Sequence, residues 1–163
     1  MRKVIMELLK EEVHSIWDTE KENIFAEIAE GTFEDLSNLE LGTPLYQEWW
    51  KLIDENGRIL GYGWVSYRND DFEISLVVDT KHQGVGLGSF IMDKLEAIAV
   101  EKGFNEIVAI VKNTNPNSEV MIKWLFKKGY VPYWLGFEGL EPKSQEFAIS
   151  GVKKSDIRLI KKL

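Results

Sequence analysis

The chain has 163 residues, no cysteine, 44% hydrophobic residues and a formal net charge of −7. These values exclude a disordered chain and predict a single folded domain over residues 1–163, which the absence of cysteine places in the cytoplasm. The acidic balance argues against a nucleic-acid partner and suits a cationic one. No apolar stretch is long enough to span a bilayer, so we expect no membrane partner.

The first half of the chain predicts a strand, a helix and then an antiparallel meander. The capping box Thr19-x-x-Glu22 opens the helix, which we expect to end at Gly31. The residues after it suit a short helix or a packed loop. Asn56-Gly57 is a strong hairpin signal between two strands, and a polar turn precedes the next one. The strands predicted in this half are 3–8, 47–54, 58–67 and 72–78.

The second half predicts two helices that alternate with strands. Apolar residues at helical spacing run from Leu87 to Gly103, and Asn115-Pro116 and Gly129 open and close the second helix. The strand between these helices is nearly continuously apolar, as in strands covered on both faces, and we expect it to run parallel to the strand at 72–78. The strands predicted in this half are 106–111, 130–134 and 146–152.

A glycine-rich turn joins the meander to the first long helix. Its glycines let an anion approach the backbone N–H groups at a helix N-terminus. In a dinucleotide fingerprint the third glycine would come one residue later, and a phosphate loop would end in Gly-Lys-Ser/Thr. On the glycines alone, a turn that binds nothing and a phosphate-binding domain of another class both stay open. The glycines of the turn are Gly84, Gly86 and Gly88.

The arrangement Gln83-x-x-Gly86-x-Gly88 resembles the Q/R-x-x-G-x-G/A motif of the GNAT superfamily of acyl-coenzyme A-dependent N-acetyltransferases. Thr80 and His82 stand where that family has a proline and an aromatic residue. The order of predicted elements is similar to the GNAT fold over nearly the whole chain. The resemblance implies an α/β fold, with a central mixed sheet of about six or seven strands flanked by helices and a cleft where two parallel strands splay apart.

The resemblance further implies transfer of an acetyl group from acetyl-coenzyme A to a primary amine, by direct attack in a ternary complex and without a metal. A non-catalytic coenzyme A-binding module of the same fold is the alternative. The acceptor amine, the acyl length and the oligomeric state do not follow from the sequence, and a homodimer is left open. By resemblance the cofactor contacts are Leu76, Val77, Val78, Gln83, Gly84, Val85, Gly86, Leu87, Gly88 and Ser89, with Asn115 or Asn117 added if the later turn is offset.

The catalytic acid and base are defined least. Many family members carry an acidic tyrosine four residues before the glycine that closes the second helix, where this chain has Leu125. Glu73 is the candidate base, because it lies one residue from the glutamate of histone-acetylating members and a β-bulge would correct that offset. A solvated strand carboxylate is the alternative, and Asp71 is a poorer candidate. The tryptophans of the meander, which would pack in the core or line an acceptor pocket, are Trp49, Trp50 and Trp64.

Overall fold

The computed structural model describes residues 5–12, 14–82, 86–133 and 142–163, with only the backbone of residues 142 and 143. Contacts between residues divide the chain into two compact units. The first unit comprises Met1–Ile28 and Asn38–Phe104, and the second comprises Ala29–Ser37 and Asn105–Leu163. The expectation of a single domain stays a prediction.

The first unit contains an antiparallel sheet of four strands and two helices. Its strands are β1 (Met6–Lys10), β2 (Glu48–Asp54), β3 (Ile59–Ser66) and β4 (Glu73–Val78), and its helices are α1 (Thr19–Phe25) and α2 (Leu87–Glu101). Each strand pairs with the next one in the chain, so the predicted meander is confirmed. Residues 3 and 4 of the predicted first strand lie outside the described residues, and within these residues the strand begins at Met6 and continues to Lys10.

Aromatic side chains cover the sheet face that α1 packs against. The Trp49 and Trp64 rings are stacked, with centroids 4.5 Å apart and planes 12° apart. Phe25 of α1 contacts both rings, at centroid distances of 6.3 Å and 5.6 Å. Trp49, Trp50 and Trp64 all belong to the buried core, which agrees with the core interpretation of these residues.

The opposite sheet face receives α2, and two glycines of β3 permit its close approach. A Cβ atom on Gly63 would lie 2.8 Å from Ile91 Cγ2 and 3.1 Å from Leu95 Cδ1 of α2. A Cβ atom on Gly61 would overlap the carbonyl oxygen of Val77. Since Ile91 and Leu95 are fully buried, α2 packs directly against the strand backbone.

The second unit contains three strands and two helices. They are β5 (Glu106–Val111), β6 (Val131–Pro132), β7 (Ile157–Lys162), α3 (Ser118–Lys127) and α4 (Pro142–Val152). The strand β7 lies between β5 and β6 and runs antiparallel to both. Gly129 follows α3 with a φ of +94°, the left-handed conformation predicted for the glycine that closes this helix.

The end of the chain corrects one prediction and adds a strand that was not predicted. Residues 146–152, predicted as a strand, lie in α4, and the last strand is β7. Exposed Phe147 adds an apolar residue to the helix, which obscured its period in the sequence. In β7, Ile157 and Leu159 are buried in alternation, as a half-buried strand requires. The buried residues of α4 recur every four positions and are Ser144, Ala148 and Val152.

The described residues form seven strands and four α-helices, which confirms the predicted α/β class and the number of strands. None of the described helices is both long enough and apolar enough to cross a membrane. The parallel pairing of β4 with β5, and their divergence into a cleft, stay predictions.

Candidate functional site

The strand β4 pairs with β3 over its whole length, including its last residues. Leu76 and Val78 pair with Gly63 and Gly61, so they share the sheet face on which α2 packs. Val77 alternates with them and lies on the α1 face. Val77 and Val78 are buried and Leu76 is half-buried. The backbone of these three residues is therefore fixed by packing on both sides of the sheet.

A hydrogen-bonded turn follows β4. The Asp79 side chain accepts a hydrogen bond from the Lys81 backbone N–H at 3.1 Å, and the Asp79 carbonyl accepts one from the His82 N–H at 2.9 Å. The Thr80 hydroxyl donates to the Glu27 carboxylate. Where the resembled family has a proline that fixes φ, this chain therefore holds its turn through hydrogen bonds.

Helix α2 begins within the glycine-rich segment, so Gly88 lies in its first turn. Gly86 is its N-cap, with a φ of +81° and no side-chain hydrogen bond to the helix. Among the residues that the structure describes, no atom lies within 4 Å of the position of a Cβ atom on Gly86. The first turn contains no acidic residue, and its N–H groups have no acceptor within the helix. This turn contains Leu87, Gly88 and Ser89, whereas Gln83, Gly84 and Val85 lie outside the described residues.

These features together make the start of α2 suitable for an anion. The N-terminus of a helix of 15 residues carries a partial positive charge, and unpaired N–H groups there bind phosphate oxygens. Lys81 is exposed just before the turn and adds a positive charge. The described part of this segment thus has a backbone geometry that suits an anion, and the pyrophosphate contacts stay a prediction.

Glu73, the predicted base, is the first residue of β4 and is half-buried. It pairs with Ser66 and shares the α1 face of the sheet with Ser75 and Val77. The β3–β4 register is continuous from Glu73 to Val78, so this ladder contains no bulge that would turn Glu73 to the other face. The assignment of Glu73 as the base stays a prediction.

The second unit contains the other predicted site residues. Leu125 is 3% exposed and belongs to the core. Asn115 is also buried, and its side-chain oxygen accepts a hydrogen bond from the Asn117 N–H at 2.8 Å. Asn117 is the N-cap of α3 but its side chain makes no capping hydrogen bond. The backbone N–H of Asn117 is used by the turn, but its side-chain amide makes no capping hydrogen bond, in contrast to the side chain of Asn115.

The turn between β5 and α3 is also bound to distant parts of its own unit. The Thr114 hydroxyl donates to the Gly31 carbonyl oxygen at 2.6 Å. Gly31 has a φ of +88°, and a Cβ atom there would overlap the Thr114 carbonyl oxygen. On its other side, the Asn113 N–H donates to the Asp156 carboxylate at 2.9 Å. These bonds fix the backbone that leads into α3.

A buried ionic cluster at the start of α1 was not predicted. Lys21 is 1% exposed, and its Nζ atom lies 2.8 Å from Glu11 Oε1 and 3.2 Å from Asp18 Oδ2. Nζ also donates to the Ile16 carbonyl oxygen at 3.0 Å. Asp18, rather than Thr19, is the N-cap of α1, because its side chain accepts a hydrogen bond from the Lys21 N–H. The capping-box prediction therefore misplaced the cap by one residue.

A signal for the burial of Lys21 exists in the sequence. Lys21 precedes Ile24 and Phe25 by three and four residues, so it shares their helix face. Tyr62 lies across from it, with a buried hydroxyl that has no hydrogen-bond partner among the described residues. Burial, together with the charge of Asp18, raises the pKa of Tyr62 far above its usual range. The phenol therefore stays protonated and is a poor general acid.

No cluster of three or more potential metal ligands occurs among the residues that the structure describes.

The family model described as Acetyltransferase (GNAT) family matches residues 3–126. A search of curated protein sequences gives no match.

Solved structures share the fold at low sequence identity. A GNAT family acetyltransferase from Elizabethkingia anophelis with acetyl-CoA bound gives a TM-score of 0.61 at 16% identity, covering 97% of this chain and 98% of that one. N-acetylglutamate synthase from Neisseria gonorrhoeae, complexed with coenzyme A and N-acetyl-glutamate, gives 0.56 at 16% identity, covering 99% of this chain and 36% of that one. PaiA N-acetyltransferase from Thermoplasma acidophilum in complex with coenzyme A gives 0.50 at 16% identity, covering 71% and 60%.

Proposed function

Because the chain belongs to the Acetyltransferase (GNAT) family, we propose that it transfers an acetyl group from acetyl-coenzyme A to a primary amine in a ternary complex. The structural neighbours with coenzyme A or acetyl-CoA bound support this choice of co-substrate. The net charge of −7 suits a cationic acceptor, and the absence of cysteine suits the cytoplasm.

The start of α2 is the observation that carries this proposal. The pyrophosphate of the cofactor would bind the N–H groups that follow Gly86, where no described atom lies within 4 Å of the Gly86 Cβ position and the first turn of the helix carries no carboxylate. Residues 83–85 would complete this contact. The backbone of β4 at Leu76, Val77 and Val78 would bind the pantetheine arm and orient the thioester for attack.

The reaction then requires one proton acceptor and one leaving thiolate. The neutral amine nitrogen attacks the thioester carbon, the new C–N bond forms, and the C–S bond breaks. Glu73 would accept the proton of the amine, directly or through water. Leu125 supplies no acid and the Tyr62 phenol is buried, so another residue or water would protonate the thiolate, or it would leave unassisted.

The proposal is tested by release of free thiol from acetyl-CoA with a library of primary amines. We expect thiol release with at least one amine, and coenzyme A should compete with acetyl-CoA whereas ATP and NAD should not. Heat-denatured protein gives the background rate. Tight coenzyme A binding without amine-dependent thiol release would instead support the non-catalytic module, and failure to bind coenzyme A would contradict both.

A further inference from the structure

The Lys21 ammonium group is enclosed by groups that match a primary amine. Its Nζ atom lies 2.8 Å and 3.0 Å from the two carboxylate oxygens of Glu11, 3.2 Å from Asp18 and 3.0 Å from the Ile16 carbonyl oxygen. A primary ammonium has three N–H donors and no acceptor, so one carboxylate, a second carboxylate and a carbonyl satisfy it fully.

Two aromatic rings cover the same ammonium group. Nζ lies 5.3 Å from the centroid of Trp49 and 5.2 Å from that of Tyr62, within the range of a cation–π contact. Both rings belong to strands of the sheet and are almost completely buried, at 1% and 0% exposure. The Tyr62 hydroxyl adds a buried polar group with no partner among the described residues.

We propose that Glu11, Asp18, Ile16, Trp49 and Tyr62 form a binding site for a primary alkylammonium ion, which the native chain fills with its own Lys21 side chain. The walls of the site come from Glu11 directly after β1, from the turn before α1, and from β2 and β3, and not from the Lys21 backbone. Removal of the ammonium would leave the Glu11 carboxylate, whose side chain is 10% exposed, without its cation in an aromatic surrounding. A free amine of the right length would therefore find a preformed site.

The site is independent of the proposed acetyl transfer, because it uses none of the residues assigned to the cofactor or the base. It selects by the number of N–H donors and by length. A quaternary ammonium has the charge but no N–H donor, and a primary alcohol has the length but no charge.

The variant Lys21→Ala tests the proposal, because it removes three methylene groups and the ammonium, which together correspond to n-propylammonium. Breaking a buried ion pair should lower the Tm of the purified full-length chain by about 10 °C. We expect n-propylammonium chloride to restore at least half of this loss in a saturable manner. Tetramethylammonium chloride and 1-propanol at equal concentration should not restore it.

Lys123→Ala is the matched control, since Lys123 is half-exposed and pairs with Glu119 at 3.1 Å on the surface of α3. Its Tm should not respond specifically to n-propylammonium. The double variant Lys21→Ala with Glu11→Gln should respond less than Lys21→Ala alone. Equal shifts in the native chain, Lys21→Ala and Lys123→Ala, or no shift in Lys21→Ala, would overturn the proposal.

A second measurement covers the case in which Lys21→Ala does not fold in buffer. The variant is then refolded from denaturant with and without n-propylammonium and followed by circular dichroism. Recovery of the native spectrum that depends on n-propylammonium, and not on tetramethylammonium, supports the site. Absence of recovery at every n-propylammonium concentration overturns it.

Discussion

The helices α2 and α3 each follow a strand whose central residues are largely buried, but the N–H groups in the first turns of the two helices have different environments. At α2 the cap is Gly86, with no side-chain hydrogen bond and no acidic residue in the first turn. At α3 the preceding Asn115 accepts the Asn117 N–H, and Glu119 supplies a negative charge within the first turn. The second helix start is thus stabilised by the chain itself.

The difference shows how a ligand site is distinguished from a structural turn of the same topology. A helix start that binds an anion must leave its N–H groups and its partial charge available, at a cost in intrinsic stability. A helix start that carries its own carboxylate would repel an incoming phosphate. The two turns therefore differ chemically, because the glycine before α2 leaves the N–H groups available whereas the asparagine before α3 accepts one of them.

The largest expected effect comes from a carboxylate at the start of α2. Gly86→Glu should weaken coenzyme A binding by at least about 100-fold, or about 2.7 kcal/mol, because the charge opposes the pyrophosphate. Gly103→Glu is the matched control: it lies just after the same helix, has a φ of +87° and equally has no described atom within 4 Å of a Cβ position. Calorimetry should show near-native affinity for this control. Equal losses in both variants would contradict a pyrophosphate site at Gly86.

The next prediction compares the first residues of β4 and β5, which are both half-buried glutamates. Glu73→Gln should lower kcat/KM by about 100-fold near neutral pH, as expected for loss of a general base. The difference in kcat/KM between Glu73→Gln and the native chain should become smaller as the pH approaches the pKa of the acceptor amine, because the amine then loses its proton in solution. Glu106→Gln removes an exposed ion pair with Lys162 and should leave kcat/KM unchanged. Native turnover of Glu73→Gln from about pH 6 to 9 would eliminate Glu73 as the base.

A third prediction concerns the close approach of Gly31 to Thr114, which lies in the turn between β5 and α3. Gly31→Ala should lower the free energy of unfolding by about 3 kcal/mol, from backbone strain at positive φ and overlap with the Thr114 carbonyl oxygen. Gly42→Ala has the same strain, with a φ of +91°, but no atom of the described part of the chain lies within 4 Å of the Cβ position, so it should cost about 1 kcal/mol. Denaturant titrations of the two variants give the difference. Equal costs would show that Thr114 yields without penalty.

The smallest expected effect separates the two asparagines of the α3 turn. Asn117→Ala should raise the Kd for coenzyme A about three-fold, the effect of one lost hydrogen bond, with little change in stability. Asn115→Ala should instead lower the free energy of unfolding by about 1 kcal/mol, because its buried side chain supports the turn. An unchanged Kd in Asn117→Ala would remove this residue from the cofactor contacts.

The sequence predicted the meander and the two strand–helix segments well, because their signals are local. Glycines with positive φ mark the ends of α2 and α3, and Asn56-Gly57 marks the hairpin. The α4–β7 region was less predictable, because Ala148 and Val152 of the helix are interspersed with an apolar residue that remains exposed. Periodicity cannot distinguish the two conformations when exposed and buried positions are both apolar.

The candidate site was predictable where it depends on backbone and unpredictable where it depends on tertiary packing. Gly86 requires a positive φ, which a glycine pattern can indicate. The burial of Lys21 depends instead on Glu11 and Tyr62, which lie in other elements of the unit. A lysine on a short, strongly charged helix is ordinarily solvated, so the helix face that Lys21 shares with Ile24 and Phe25 is too weak a signal by itself to identify it as a core residue.

The two glycines of β3 have a consequence for how a saturation mutagenesis screen of this chain would be interpreted. Any side chain at Gly63 would act as a spacer under Ile91 and Leu95, and would displace α2 together with its N-terminus. With the cofactor at the start of α2, as proposed above, we expect such variants to lose coenzyme A binding although Gly63 precedes the glycine turn by some twenty residues in the sequence. A screen scored on activity alone would therefore assign Gly63 to the binding site, whereas a parallel screen on protein abundance would identify it as a packing position.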